Sequence, residues 1–248
     1  MNFSYKHSGD LGDLIFALPL LRWKGCKCLH IDSTGGFNDP LVSWGKGRFT
    51  NTKLLTMKPE HLEAVAEFLK SQDYIDMAKV TNFSTNNIKV DINLNEFRHH
   101  IKFNNLSFSH LAIVDKDESK YVNIVKEPWI TCEPKKIAKV VLARNLRYQG
   151  NHAFWEHIEE KDLLDAVFVG SLMEFNIFKT IFPHHKHVKF FPTPTIDDLA
   201  GVLQGAEQVI CNQGLPHALA EAMKKPLICE VDKTYPAAVF KREGASYV

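Results

Sequence analysis

Between Lys139 and Val231 short runs rich in β-branched and aromatic residues alternate with longer stretches of helical spacing, and this alternation limits the possible fold more than any other feature of the chain. The pattern predicts strands at Lys139–Ala143, Ala166–Gly170, Val188–Phe191, Gln208–Cys211 and Pro226–Val231. Between them it predicts helices near Phe154–Leu164 and at Met173–Phe182, Ile196–Gln204 and Leu215–Lys224. A helix between two strands carries the chain back to the end of the sheet where the first began, so the pattern reads as a parallel sheet wrapped by helices. The first half is less regular. Asn2–His7 and Cys28–Asp32 read as strands, Pro59–Lys70 as a helix opened by proline, and Asp73–Val80 and Lys89–Ile92 as further strands. Lys126–Lys136, with Glu127-Pro128-Trp129 and Glu133-Pro134, interrupts both periods and reads as the crossing between two halves. The expected fold class is α/β, with two Rossmann-like domains and a cleft between them: residues 1–126, a linker at 127–136, and residues 137–248.

At 248 residues with 45% hydrophobic side chains, the chain has enough apolar surface for the cores of two small domains. Thirty Lys and Arg against 29 Asp and Glu leave no basic field of the kind that marks nucleic-acid binding, although a local basic groove stays open. No apolar run is long enough to span a bilayer and no basic leader precedes Asn2, so the expectation is a cytoplasmic protein without stable membrane insertion. The five cysteines, Cys26, Cys28, Cys132, Cys211 and Cys229, lie on or beside apparent strands and read as reduced, buried thiols. His99-His100, His184-His185 and His187 lack a second ligand cluster at metal spacing and read as solvated loop histidines, so no metal is expected. Gly35-Gly36 and Ser84–Asn87 read as loops, and Trp44–Arg48 as a segment that either covers the cleft or is an ordinary surface loop.

Three stretches carry the polar residues that could do chemistry. Residues 8–19, Ser-Gly-Asp-Leu-Gly-Asp-Leu-Ile-Phe-Ala-Leu-Pro, run from the first strand through a turn permitted by Gly9 and Gly12 into an apolar helix that should end at Pro19. Asp10 and Asp13 fall at the helix mouth, where unpaired N–H groups stabilise a carboxylate; Asp10 reads as a cap and Asp13 as a functional acid. The second stretch, Arg144-Asn145-Leu146-Arg147-Tyr148-Gln149-Gly150, follows a predicted strand. The forks of Arg144 and Arg147 match phosphate geometry there, unless one arginine pairs with Glu159, Glu160 or Asp162. In the third, a buried strand turns at Asn212-Gln213-Gly214 into a helix opened by Leu215 and Pro216. Its first N–H groups would meet a phosphate, or Asn212 would simply cap it. His217 and Glu221 share one face of that helix, aimed into the cleft or paired on the surface.

Together, Gly9–Pro19 and Asn212–Met223 resemble glycosyltransferase family 9, the group of ADP-heptose:lipopolysaccharide heptosyltransferases. Members open with a similar Gly-Asp-(Ile/Val) and apolar-Leu-Pro motif, and start a late helix with Asp-(Ser/Thr)-Gly-x-x-His-x-Ala. The resemblance implies the GT-B architecture with a reduced N-terminal, acceptor-binding domain and a C-terminal donor domain. It also implies metal-independent, inverting sugar transfer. On it, Asp13 matches the general base, while Gln213, Gly214 and His217 match the donor-binding turn; the placement of the residues themselves adds Gly12, Arg144, Arg147, Asn212 and Leu215 to the donor and phosphate site, with Glu174 and Glu221 as candidate ribose or base ligands. The chain departs from the pattern at Asn212, Gln213 and Pro216, which stand where the family has an acid, Ser/Thr and a polar residue; heptose is therefore not carried over as the sugar.

The expected function is transfer of a sugar from a nucleotide-diphosphate sugar to an acceptor hydroxyl on a saccharide, a small molecule, a protein or nucleic acid, including a modified nucleic-acid base. No cofactor is expected beyond that co-substrate. A non-catalytic nucleotide or nucleotide-sugar binder of the same fold and a nucleotide-sugar epimerase or isomerase are the alternatives.

Overall fold

The computed structural model describes residues 3–8, 11–34, 59–101 and 105–248, with the backbone alone at 59 and 60. Gly9, Asp10, Gly35-Gly36 and Trp44–Arg48 lie outside the described residues. The chain divides into two compact units, Met1–Trp129 and Ile130–Val248.

In unit 1, β1 (Phe3–His7) leads into α1 (Leu11–Lys24) and β2 (Cys26–Asp32). Then come α2 (Pro59–Lys70), β3 (Ala78–Thr81), β4 (Ile92–Asn93), a 3-10 stretch at Leu94–His100, α3 (Leu106–Leu111) and α4 (Val122–Lys126). The strands pair in parallel in the order β3-β2-β1-β4. Residues Leu14 to Leu21 of α1 are buried without a break, so α1 is an internal helix with no solvent face over two turns.

The strands expected at Asp73–Val80 and Lys89–Ile92 are shorter and shifted, as β3 and β4, and two further predicted features change here. The helix was expected to end at Pro19, but α1 continues through it to Lys24. Proline removes the N–H that would serve the carbonyl of residue i−4, which here is Ile15. The indole Nε1–H of Trp129, 114 positions from Ile15, donates to that carbonyl at 3.0 Å and takes the missing role. The predicted glycine turn is also shorter, since Gly12 lies inside the first turn of α1.

Unit 2 contains β5 (Val140–Ala143), α5 (His152–Glu156), β6 (Ala166–Phe168), α6 (Leu172–Ile181) and β7 (Lys189–Phe190). These are followed by α7 (Ile196–Gly205), β8 (Gln208–Asn212), α8 (Leu215–Ala222), β9 (Leu227–Glu230) and β10 (Ala245–Tyr247). Its six strands are all parallel in the order β7-β6-β5-β8-β9-β10, which in chain order is 3-2-1-4-5-6, the doubly wound Rossmann arrangement. The helix predicted near Phe154–Leu164 is split into α5 and a 3-10 turn at Glu160–Leu163, because His157 caps α5 with its N–H on the Ala153 and Phe154 carbonyls. Trp155, Phe168, Phe178 and Phe182 form the aromatic centre of the core beneath β5 and β6. Residues 130–136 run along unit 2: Lys135 N–H donates to the Gly201 carbonyl at 2.8 Å, and Gly205 lacks a Cβ that would lie 2.2 Å from the Lys135 carbonyl oxygen.

Candidate functional site

In an open α/β sheet the strand order reverses at one point, and the loops there part to leave a crevice for ligands. Unit 1 reverses between β1 and β4, and unit 2 between β5 and β8. Each reversal is bridged by an asparagine side chain.

In unit 1 the bridge joins Ser8, just past β1, to Asn95, just past β4. Ser8 N–H donates to Asn95 Oδ1 at 3.1 Å, and Asn95 Nδ2 donates to Ser8 Oγ at 3.0 Å. Ser8 Oγ continues to Asp32 Oδ2 at 3.1 Å, beside Lys6 Nζ at 3.5 Å, and Asp32 Oδ1 accepts from the N–H and Oγ1 of Thr34. On the other side, Arg98 Nη1 lies 3.4 Å from Asn95 Oδ1 and Nη2 lies 3.5 Å from Asp13 Oδ2. Asp13 sits in the first turn of α1 with its side chain 24% exposed, whereas Arg98 is only 9% exposed and lies over the Phe97 ring. His110 stacks on the same Phe97 ring at 4.2 Å, and the His7 ring lies 6.2 Å from that of His110. Burial, reinforced by the Arg98 charge, lowers both histidines, His110 to about 3, so the ring cluster is uncharged near neutral pH. Arg98, Asn95 and Ser8 were not singled out from the sequence. The signal for them is the Leu94 and Phe97 pair, three apart and both buried, which fits one face of a 3-10 turn.

In unit 2 the bridge joins Asn145 to Asn212. Asn212 Oδ1 accepts from Asn145 N–H at 2.9 Å, and its Nδ2 donates to the carbonyls of Asn145 at 3.0 Å and Arg147 at 2.7 Å. Asn145 Nδ2 returns to the Gln213 carbonyl at 2.5 Å. Gln213 then reaches the loop after β9, donating from Nε2 to the Tyr235 carbonyl at 2.8 Å and accepting at Oε1 from Asp232 N–H at 2.7 Å. The two loops also meet through the rings of Tyr148 and Tyr235, 5.2 Å apart and edge to face. Tyr148 adopts φ 54, a left-handed conformation rare for a bulky residue, and Arg147 lies on its ring with Nη2 2.7 Å from the phenol oxygen. Gly214 caps α8 with no side-chain hydrogen bond, and a Cβ there would fall 2.5 Å from Asn145 Nδ2. Gly214, Leu215 and Pro216 are half-buried, so the opening of α8 reaches the surface.

Several residues assigned to the donor site from the sequence have other employment. Arg144 is buried and forks onto Glu230, Nε to Oε2 at 2.9 Å and Nη2 to Oε1 at 3.1 Å; Glu230 also accepts from Asn151 N–H and Trp155 Nε1. Arg144 is thus a structural ion pair, with an acid other than the neighbouring ones considered. The carboxamides of Asn212 and Gln213 are spent on loop backbone, each donating to carbonyls and accepting from an N–H, which an acceptor-only carboxylate at position 212 could not do. His217 is fully buried with its ring edge-on to Phe240 and Tyr247, and burial followed by the Arg242 charge lowers it to about 3. Glu221 is equally buried and accepts from Lys224 Nζ at 2.6 Å and Arg242 Nε at 2.7 Å, so this helix face points into the unit. Glu174 forms a capping box with Ser171 at the start of α6 rather than standing open to a ribose. His185, expected in solvent, is buried with Nε2 2.7 Å from the Trp155 carbonyl. All five cysteines are free thiols, Cys26, Cys211 and Cys229 buried and the other two half-buried.

Among the described residues no cluster of three or more His, Cys, Asp or Glu is placed to hold a metal, and no helix is long and apolar enough to cross a membrane. The sequence matches no protein-family model and no curated protein. The fold does find relatives. The structure of a glycosyl transferase family 9 protein from Veillonella parvula aligns with TM-score 0.64 and 11% identity, over 99% of this chain and 84% of that one. The E. coli heptosyltransferase WaaC with ADP aligns at 0.53 and 15%, over 100% and 92%. The same enzyme with ADP-2-deoxy-2-fluoro heptose aligns at 0.50 and 14%, over 100% and 93%. In fold, the chain resembles glycosyltransferase family 9. The likeness extends over both units, each a parallel sheet wrapped by helices.

Proposed function

We propose that this family-9-like chain is an inverting glycosyltransferase that moves a sugar from a nucleotide-diphosphate sugar to an acceptor hydroxyl without a metal ion. The observation that carries the reading is Asp13: a half-buried carboxylate at the mouth of α1, beside the strand-order reversal of unit 1, in a fold shared over 99% of the chain with a family 9 structure. The neighbours solved with ADP and with an ADP-linked sugar analogue support a nucleotide-sugar donor.

In this reading Asp13 accepts the proton of the acceptor hydroxyl as its oxygen bonds to the anomeric carbon. The bond from that carbon to the diphosphate breaks, and its electron pair leaves with the nucleoside diphosphate. The opening of α8 supplies the N–H groups of a helix N-terminus to that growing negative charge, and Arg147 supplies a guanidinium from the adjoining loop. Unit 1 takes the acceptor role and unit 2 the donor role. The acceptor hydroxyl belongs to a saccharide, small molecule, protein or nucleic acid.

A panel of nucleoside diphosphates and nucleotide sugars, read by thermal denaturation, tests the donor site, because a ligand that binds only the folded chain raises its melting temperature. A shift confined to one base identifies the donor class; no shift with any of them removes the reading. With the donor known, Asp13→Asn should bind it as tightly as the native chain and transfer nothing. Unimpaired transfer by that variant would end the assignment of Asp13 as base, and binding without turnover by the native chain would favour a non-catalytic nucleotide-sugar binder.

A further inference from the structure

We propose that Arg98 is a positioning residue for Asp13, holding the carboxylate in line from a polar chain anchored at the strand-order reversal of unit 1. The inference rests on the reading of Asp13 as the base, and adds to it the group that orients that base.

Three observations support it. First, the guanidinium is fixed on several sides: Phe97 under its face at 4.5 Å, Asn95 Oδ1 at 3.4 Å and Asp13 Oδ2 at 3.5 Å. Asn95 is itself fully buried and locked to Ser8 by two hydrogen bonds, so the chain from Asp32 through Ser8, Asn95 and Arg98 to Asp13 has a rigid root. Second, the helix gives no reason for a cation here. Asp13 is already favoured by the positive end of α1, while an arginine at that end is disfavoured by the same dipole. Third, burying a guanidinium to 9% exposure is costly unless its partners are well placed, and a surface-type pair would have cost less with the arginine in water. The spending is intelligible if direction, rather than stability, is what the pair provides. An arginine stays protonated at every working pH, so its charge favours the ionised form of the carboxylate it faces, the form a general base needs.

Among the described residues, the titratable groups beside this chain include His7 on β1 and His110 on α3, both neutral, Glu96, His99 and His100 on the 3-10 stretch that carries Arg98, and the Lys6–Asp32 pair at its far end. Burial keeps His7 and His110 neutral near neutral pH, so neither adds a change of charge there.

The test compares the native chain with Arg98→Gln and Arg98→Lys. For sugar transfer, Arg98→Gln should lower kcat by about ten- to a hundredfold with the donor KM unchanged, and move the acid limb of kcat/KM up by about one pH unit, as loss of a neighbouring opposite charge does. Arg98→Lys should bring the limb back while restoring kcat only in part, since an ammonium lacks the fork. An unmoved limb and unchanged kcat in Arg98→Gln would overturn the proposal. A second measurement needs no turnover and no folded variant of Arg98: the carboxyl carbon of Asp13, assigned by its absence in Asp13→Asn, is titrated by NMR in the native chain. A midpoint well below about 3.9, the ordinary aspartate value, supports the pairing; an ordinary midpoint overturns it. A depressed midpoint in a chain that transfers no sugar supports the pairing and retires only the transferase reading.

Discussion

Trp129 donates its indole N–H to the carbonyl of Ile15, the one carbonyl in α1 that Pro19 leaves without a helical donor. The chain end of unit 1 therefore repairs a defect in its central helix. Trp129→Phe keeps most of the buried ring and strands that carbonyl, and should cost about 1–3 kcal/mol beyond any packing loss. In a Pro19→Ala background, where a backbone N–H is restored at position 19, the same substitution should cost less. Urea denaturation of the four chains measures the coupling, and equal costs in both backgrounds would contradict it.

Asn212→Asp tests why a carboxamide occupies the turn before α8. The substitution keeps the acceptor for Asn145 N–H but replaces two good donated bonds with a carboxylate facing the carbonyls of Asn145 and Arg147. A loss of about 2–4 kcal/mol is expected at neutral pH, from unsatisfied acceptors and a poorly solvated charge. The penalty should shrink in acid as the new carboxyl takes up a proton and can donate again. Thermal denaturation at several pH values reads both effects.

For Arg144 the expectation is structural. Removing the cation in Arg144→Met leaves Glu230 as a buried anion and should cost about 3–5 kcal/mol, whereas the double variant with Glu230→Gln should recover much of that loss. A stable Arg144→Met chain that had lost only nucleotide binding would instead return Arg144 to the anion site.

Acid stability follows from the buried histidines. His110 and His217 are lowered to about 3 in the folded chain, and His7 is lowered as well, against about 6.5 when unfolded. Between those limits the unfolded chain binds more protons, so stability is complete above about 6.5 and falls as the pH drops through the window. Each histidine contributes up to about 1.4 kcal/mol per pH unit there. His217→Met should make the slope shallower by the share of one proton, measured as unfolding free energy in urea at successive pH values.

What the sequence revealed was local in origin. The strands from β5 to β9 and most of the helices between them were legible because each sits on its own apolar run, whereas β10 was not foreseen. Ser171 and Thr195 open α6 and α7 with capping boxes that lie within four residues. What it hid was decided at a distance. Pro19 looks like a helix end until Trp129 is known to lie beside Ile15, and Arg144 looks like an anion ligand until Glu230, 86 positions on, is found beneath it. His217 and Glu221 were placed correctly on one helical face, but spacing gives no sign of whether a face turns inward. The place of Asp13 in the first turn of α1 was legible, while the contact it makes with Arg98 was hidden, because Arg98 lies in a stretch with His99 and His100 that reads as an ordinary solvated turn.

Asn212 and Gln213 make their side-chain bonds to main-chain atoms: the N–H and carbonyl of Asn145, the carbonyl of Arg147, the N–H of Asp232 and the carbonyl of Tyr235. The course of both loops is therefore tied to two carboxamides on the turn, together with the side chains that join the loops to each other: Tyr148 meets Tyr235, Arg147 lies on Tyr148, and Gln149 Nε2 donates to the Asn145 carbonyl. The exposed Leu146 and Lys233 stand outside that frame. A library confined to those two positions would vary what the rim of unit 2 recognises without rebuilding its frame, and the same freedom is open to natural drift.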